Sequence, residues 1–209
     1  MNSVEFHGLC ASTIATCACF PLDTWKMKIQ AQQPMNFASS YRGLLPELAG
    51  SIPSSLSYWF TYNQLRKQNT SIFLSSVSGA AISNFVDTAF DIRKKQRQLQ
   101  LPTTQIWGEW QKIRKFSAVN VAHSCMYNGI YMPLLDFLHT KHGYNKTFSI
   151  FLCCTIANTL TYPLDRWRTR IVTNQPLAPF LKGLGTRLLY GNIYSGLYMH
   201  IFLWLNQGI

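Results

Sequence analysis

Three aspartates each stand three residues before a lysine or arginine: Asp23 before Lys26, Asp91 before Lys94, and Asp165 before Arg168. Residues three apart share one face of a helix, so each pair sets a carboxylate beside a cation. The aspartates lie 68 and 74 residues apart, a nearly regular period. If three helices carrying such pairs met around an axis, each carboxylate could reach a cation on its neighbour and close a ring. Charge pairing, not bond-making, is the chemistry these residues suit. No nucleophile with an adjacent base, glycine-rich phosphate loop or metal cluster stands out, so no catalytic residue, cofactor or metal is expected, and the chain does not read as an enzyme. The six cysteines (Cys10, Cys17, Cys19, Cys125, Cys153 and Cys154) fall in apolar stretches. Cys17 and Cys19 would point to different helix faces, so the thiols read as free packing groups. His139-x-x-His142 stands alone and reads as a loop.

The elements that must hold these charges are legible in where charge is missing. Only 13% of the 209 residues are charged and 47% are hydrophobic, with 19 basic residues against 8 acidic ones. That excludes a disordered chain, which needs low hydrophobicity and many charges. It leaves too few charges to cover a water-soluble globule. Six charge-free stretches run over residues 6–22, 48–65, 68–86, 116–135, 147–164 and 188–209. Their lengths, 17, 18, 19, 20, 18 and 22 residues, match a membrane helix, which needs about 17–25 residues. Asn84, Asn120, His123, Asn128, Asn158 and Asn192 interrupt them. Polar groups of this kind usually face a bundle interior or a wet cavity, and small residues such as Gly79, Ala80 and Ala81 allow close helix contacts. The expectation is an all-α membrane protein, six transmembrane helices around an aqueous path.

Segments 23–47, 87–115 and 165–187 hold 15 of the 19 basic residues; Arg66, Lys67, Lys141 and Lys146 are the remainder. Short loops rich in Lys and Arg stay on the cytoplasmic or matrix-like side, which sets both termini on the other. Glu5 and His7 interrupt the first apolar run, so no cleavable signal is read there. A soluble nucleic-acid binder would need its bases on one accessible stripe, whereas here they alternate with membrane-length gaps.

The segments around the three aspartates repeat. They read Pro21-Leu22-Asp23-Thr24-Trp25-Lys26-Met27-Lys28, Ala89-Phe90-Asp91-Ile92-Arg93-Lys94-Lys95-Gln96 and Pro163-Leu164-Asp165-Arg166-Trp167-Arg168-Thr169-Arg170. Tyr41-Arg42-Gly43 and Leu181-Lys182-Gly183 echo one another further on, while the middle unit has Arg114-Lys115-Phe116-Ser117 without the glycine. At these residues the chain resembles the mitochondrial carrier family of solute carriers. That family's signature is Pro-x-Asp/Glu-x-x-Lys/Arg-x-Lys/Arg once per repeat, with a later aromatic-basic-Gly step. The likeness covers nearly the whole chain and implies three tandem helix pairs with pseudo-threefold symmetry, here 1–67, 68–142 and 143–209. The chain departs from the pattern in its short repeats, in Ala89 where proline is usual, and in little room for a matrix helix after Gln32 or Gln175. Pro21 and Pro163 are expected to kink the odd helices.

The resemblance implies roles. A matrix gate would pair Asp23 with Lys94, Asp91 with Arg168, and Asp165 with Lys26. A cytoplasmic gate on the even helices is eroded. Tyr62-Asn63-Gln64-Leu65-Arg66 lacks the acid, Leu135-Asp136-Phe137-Leu138-His139 has His for the base, and Ile201-Phe202-Leu203-Trp204-Leu205 has neither. One pair, Asp136 with Arg66, is left. Substrate contacts would fall at Gly50, His123, Ser124 and Tyr190, with Tyr127 and Arg187 about one turn away. Arg42, Gly43, Lys182 and Gly183 resemble cardiolipin-binding steps, where helix amides and a base hold a phosphate.

A transporter working by alternating access across the mitochondrial inner membrane is the implied function, as a monomer with both termini in the intermembrane space and no nucleic acid partner. None of the three central contact positions carries a permanent charge, which disfavours a simple dicarboxylate or phosphate. The tyrosines suit a solute with flat parts. Repeat one, with its short first segment and Gly50-Ser51-Ile52-Pro53, is similar to S-adenosylmethionine carriers, so that solute or an adenine nucleotide or cofactor is expected. The alternative is a degenerate carrier serving as a non-transporting membrane adaptor.

Overall fold

The computed structural model describes residues 3–34, 37–101, 110–141, 143–173 and 183–207. Among them there is no strand. Six long helices follow in order: α1 Ser3–Gln30, α2 Leu44–Lys67, α3 Ile72–Gln98, α4 Trp110–Asp136, α5 Lys146–Thr173 and α6 Leu184–Gln207. They have 24 to 28 residues. At 1.5 Å per residue that is about 36–42 Å, more than the roughly 30 Å of bilayer hydrocarbon. Among the described residues one stretch, Thr147–Thr173, is both long and apolar enough to cross a membrane, with a mean hydropathy of 1.3.

Each helix takes up most or all of one charge-free stretch, and the odd helices run on past the basic end of theirs. Thus α1, α3 and α5 continue through their signature residues to Gln30, Gln98 and Thr173. The acid-base segments therefore lie on helix, as their shared-face pairing needs, and the connections are shorter than the charge pattern suggested. Pro21 and Pro163 sit inside helices that remain continuous, as do Pro53 and Pro133 on even helices. His139 lies in a π-helical turn, Phe137–Lys141, where a loop was expected, and His142 is outside the described residues.

Each helix packs on the next, and α6 packs on α1, so the six close a ring. The odd helices also touch one another, α1 with α3, α1 with α5 and α3 with α5, which is the contact pattern of a threefold arrangement. That convergence is at the basic end. The largest fully buried side chains, including Phe20, Lys28, Gln30, Leu99 and Phe116, belong to the ends of odd helices or the beginnings of even ones. Two apolar clusters seal this end: Ile92, Phe116 and Val172 in one, Met27, Ala31 and Leu99 in the other. The 3-10 turn Phe37–Ser39 leads the chain back under α1, where Thr24 donates to the Ser40 carbonyl at 2.8 Å and Lys28 to the Ser39 hydroxyl at 2.6 Å.

Polar residues within the apolar stretches are mostly satisfied locally. Asn84 donates to the Ala80 carbonyl at 2.9 Å and Asn128 to the Ser124 carbonyl at 3.0 Å, each one turn back on its own helix. Such back-bonding satisfies a polar group where water is absent. Asn192 instead bonds Thr155 across the α5–α6 contact, at 3.1 and 3.3 Å. All six cysteines are free.

Candidate functional site

The odd helices bring their aspartates to the axis, where all three are buried. Lys94 reaches Asp23 at 2.9 Å, Arg168 reaches Asp91 at 2.5 Å and Lys26 reaches Asp165 at 3.6 Å. Each contact joins two different odd helices, so three ion pairs link α1 to α3, α3 to α5 and α5 back to α1. The own-helix pairs are also present, at 3.2 Å for Asp23–Lys26 and 3.9 Å for Asp165–Arg168. Lys95, one turn after Asp91, forms a further buried pair with it. Buried charges in this arrangement are stable only because each carboxylate meets more than one donor.

Residues outside the acid-base pattern complete the ring. Gln98 donates to Asp23 and Gln30 to Asp165, both at 3.0 Å. Each glutamine follows an aspartate on the chain by seven residues, Gln30 after Asp23 and Gln98 after Asp91; Val172 holds that place after Asp165. That spacing was readable in the sequence once the octapeptides were extended by one turn. Glu47, in the first turn of α2, pairs with Lys94 at 2.9 Å. Arg187 was expected to touch solute, but its guanidinium pairs with Asp165 at 2.6 Å and donates to Thr161 at 3.0 Å.

Above the ring lies a cavity of about 240 Å³, whose lining includes the paired charges, His123, Tyr127, Arg187, Tyr190 and Tyr194. A second cavity of about 410 Å³ adjoins it, sharing Tyr127, Tyr194 and Ser195. Its lining contains no charged residue among those described: serines, tyrosines, Trp59, Met132, Met199 and Phe202 predominate. A charged floor thus gives way to an uncharged vestibule.

Aromatic side chains one turn apart make ladders on all three even helices. On α4, His123 stacks with Tyr127 at 6.5 Å and Tyr127 with Tyr131 at 5.7 Å. On α6, Tyr190, Tyr194, Tyr198 and Phe202 follow one another at 5.9, 6.4 and 6.1 Å. On α2, Tyr58 stacks with Tyr62 at 6.0 Å, and Trp59 meets Tyr62 edge-on. Lys26 stands 5.5 Å over the Tyr190 ring, a cation-π contact that joins ladder to floor.

Two expected solute contacts lie elsewhere. Gly50 packs on α3 and lines neither cavity: a Cβ there would stand 2.5 Å from Asp87 Oδ1 and 2.5 Å from Phe90 Cβ. Ser124 also lines neither, one step round α4 from His123. Tyr127 and Tyr190 face the floor, as does His123, which is held between Arg168 and Arg187 at 3.1 and 2.8 Å. At the far end, Arg66 donates to the Thr70 carbonyl at 2.5 Å. Arg66 and Asp136 both act electrostatically on Tyr62. Of the lipid-step residues, Gly43 and Gly183 open α2 and α6 with φ of 98° and 93°. Only glycine adopts that conformation without strain. Arg42 is exposed, and Lys182 lies outside the described residues.

The chain that folds into this ring of ion pairs and aromatic cavity is similar in sequence to known proteins. No protein-family model matches the chain. It is 28% identical to the S-adenosylmethionine mitochondrial carrier protein homolog of Drosophila melanogaster, covering 97% of this chain and 88% of that one. It is 24% identical to the mitochondrial S-adenosylmethionine carrier protein of Mus musculus, over 91% of this chain and 77% of the other. An uncharacterised mitochondrial carrier of Schizosaccharomyces pombe is 25% identical, over 96% and 69% respectively. Over most of its length the chain is similar to mitochondrial carriers. All three of these relatives are carriers, and the six-helix ring is the architecture the carrier likeness implied.

Proposed function

We propose that this carrier moves a small organic solute across the mitochondrial inner membrane by alternating access. The observation that carries the reading is the set of three interhelical ion pairs, Asp23–Lys94, Asp91–Arg168 and Asp165–Lys26, beneath one cavity. In this reading the ring is the matrix gate, shut while the vestibule of tyrosines admits solute from the intermembrane space, where both termini lie. Opening it means parting the odd helices and exposing the charges to water. The protein works as a monomer, since one chain encloses the whole path.

The solute we favour is S-adenosylmethionine, or an adenine nucleotide or related cofactor. Relatives named as S-adenosylmethionine carriers align over 97% and 91% of the chain, and the ladders offer flat surfaces on which an adenine can stack. The test is uptake by purified protein in liposomes, screened with S-adenosylmethionine, adenine nucleotides, amino acids and carboxylates. Saturable uptake of an adenine-bearing solute is expected. A folded protein that takes up none of the panel would favour the second reading, a non-transporting adaptor, for which Asn63 in an acidic position on α2 and the charge-free run 201–205 on α6 are the supporting observations.

A further inference from the structure

Where the two cavities meet, side chains from three helices converge on one thiol. Cys154 on α5 is fully buried and lines neither cavity. Its Sγ accepts from the Ser195 hydroxyl on α6 at 3.3 Å and from Asn158 Nδ2, one turn on along α5, at 3.0 Å. The Tyr127 hydroxyl on α4 stands 3.6 Å from the same sulfur. Tyr127 and Ser195 line both cavities and Asn158 lines the floor, so the thiol sits directly behind their junction. The amide fits against α6 only because residue 191 is glycine: a Cβ there would stand 2.3 Å from Asn158 Nδ2. A hydroxyl has one hydrogen and two lone pairs, and a primary amide keeps its donors on nitrogen and its acceptors on oxygen. Ser195 directs its hydrogen to the sulfur, which leaves the lone pairs of Oγ for the cavity. Asn158 turns its nitrogen to the sulfur, and its Oδ1 makes none of the hydrogen bonds found among the described residues. The junction therefore presents oxygens that accept.

We propose that Cys154 is a positioning residue: it draws the hydrogens of Ser195 and Asn158 away from the cavity, so that their oxygens recognise an amino group of the solute. The inference rests on the carrier reading and narrows its solute to one that bears an amine beside a planar part. A site built to bond an N–H group rejects an analogue that offers an oxygen in its place, because two acceptors then face each other. The charges below do not oppose an amine, even a protonated one. The five described cations of the floor are matched by five carboxylates, namely the three ring aspartates, Glu47, and Asp87, which acts on Lys94, Lys95 and Arg168. Tyr127 and Tyr194 flank the two oxygens and continue into the ladders, where the planar part would lie.

The experiment is ligand-induced thermal stabilisation of the purified full-length protein, titrated with S-adenosylmethionine and two counterparts. One counterpart carries an oxo group in place of the purine amine, the other a keto group in place of the side-chain amine. One replacement should weaken binding about tenfold or more, the loss of one hydrogen bond and the clash of two acceptors; which one does so assigns the amine. Cys154→Ala lets both donors turn to the cavity and should remove most of the preference for the amine. Cys154→Ser keeps an acceptor behind the junction and should restore it. Ser195→Ala should weaken the amino form and leave its counterpart unchanged. A thiol that only fills space would lower Tm in Cys154→Ala with the preference intact. Equal binding of all three probes, no binding of the amino form, or a preference unaltered in both Cys154→Ala and Ser195→Ala would overturn the proposal. If the amino form is preferred but no solute enters liposomes, the carrier reading fails and the site stands. If solutes enter with no preference for the amine, the site fails and the carrier reading stands.

Discussion

Asp91→Asn removes one carboxylate from the closed end while leaving its volume almost unchanged. Asp91 is buried and contacts Arg168 at 2.5 Å and Lys95, so its loss leaves two buried cations short of an acid. Breaking a buried pair from one side costs about 3–5 kcal/mol. In a state open at the basic end these groups meet water, so the cost falls mainly on the closed state. A shift of about 3 kcal/mol moves the balance between the states by roughly a hundredfold. Single reporter cysteines, in a background lacking the six native ones, read this with a membrane-impermeant thiol reagent. Ser55→Cys reports the vestibule and Leu99→Cys the sealed end, where Leu99 packs with Met27 and Ala31. At rest Ser55→Cys should label strongly and Leu99→Cys weakly, and Asp91→Asn should raise labelling of the second at the expense of the first. Equal labelling of both at rest, unmoved by Asp91→Asn, would refute the closing ring.

Other expectations follow from the same contacts. Gln30→Ala with Gln98→Ala removes two hydrogen bonds to buried carboxylates, each worth about 1.5–3 kcal/mol; the detergent-solubilised protein should melt at least about 5 °C lower, and an unchanged Tm would contradict that. Gly50→Ala forces a Cβ to within 2.5 Å of Asp87 and Phe90, an overpacking cost of about 1–3 kcal/mol, so Tm should fall while the KM of the remaining uptake stays constant. His123→Ala and Tyr190→Ala should each lower uptake with folding intact, and Cys153→Ser should not; equal loss in all three would place the solute path elsewhere. Cardiolipin should raise Tm, and Arg42→Ala with Lys182→Ala should abolish the rise.

The six helices and the three ring pairs were legible because each rests on a strong local signal, a charge-free stretch or an aspartate three residues before a base. The contacts that depend on how neighbouring repeats meet were not. Gln30 lies on α1 but serves the α5 aspartate, and Gln98 lies on α3 but serves that of α1, so neither partner is near in sequence. Arg187 showed as a base near the floor, yet its pairing with Asp165 arises only where α5 and α6 pack. Gly50 was assigned by register along α2, but the rotation of that helix turns it onto α3. The odd helices run further than the charge-free stretches suggest because the charges at their ends point inward to one another.

Alternating access is tested most directly by locking the sealed end. Ala31→Cys and Leu99→Cys, placed in one apolar cluster between α1 and α3, can be joined by mild oxidation in a background without the native cysteines. The account expects the reduced pair to take up solute into liposomes, oxidation to stop uptake and reductant to restore it. Uptake that continues with the cross-link formed would contradict a path that opens at this end.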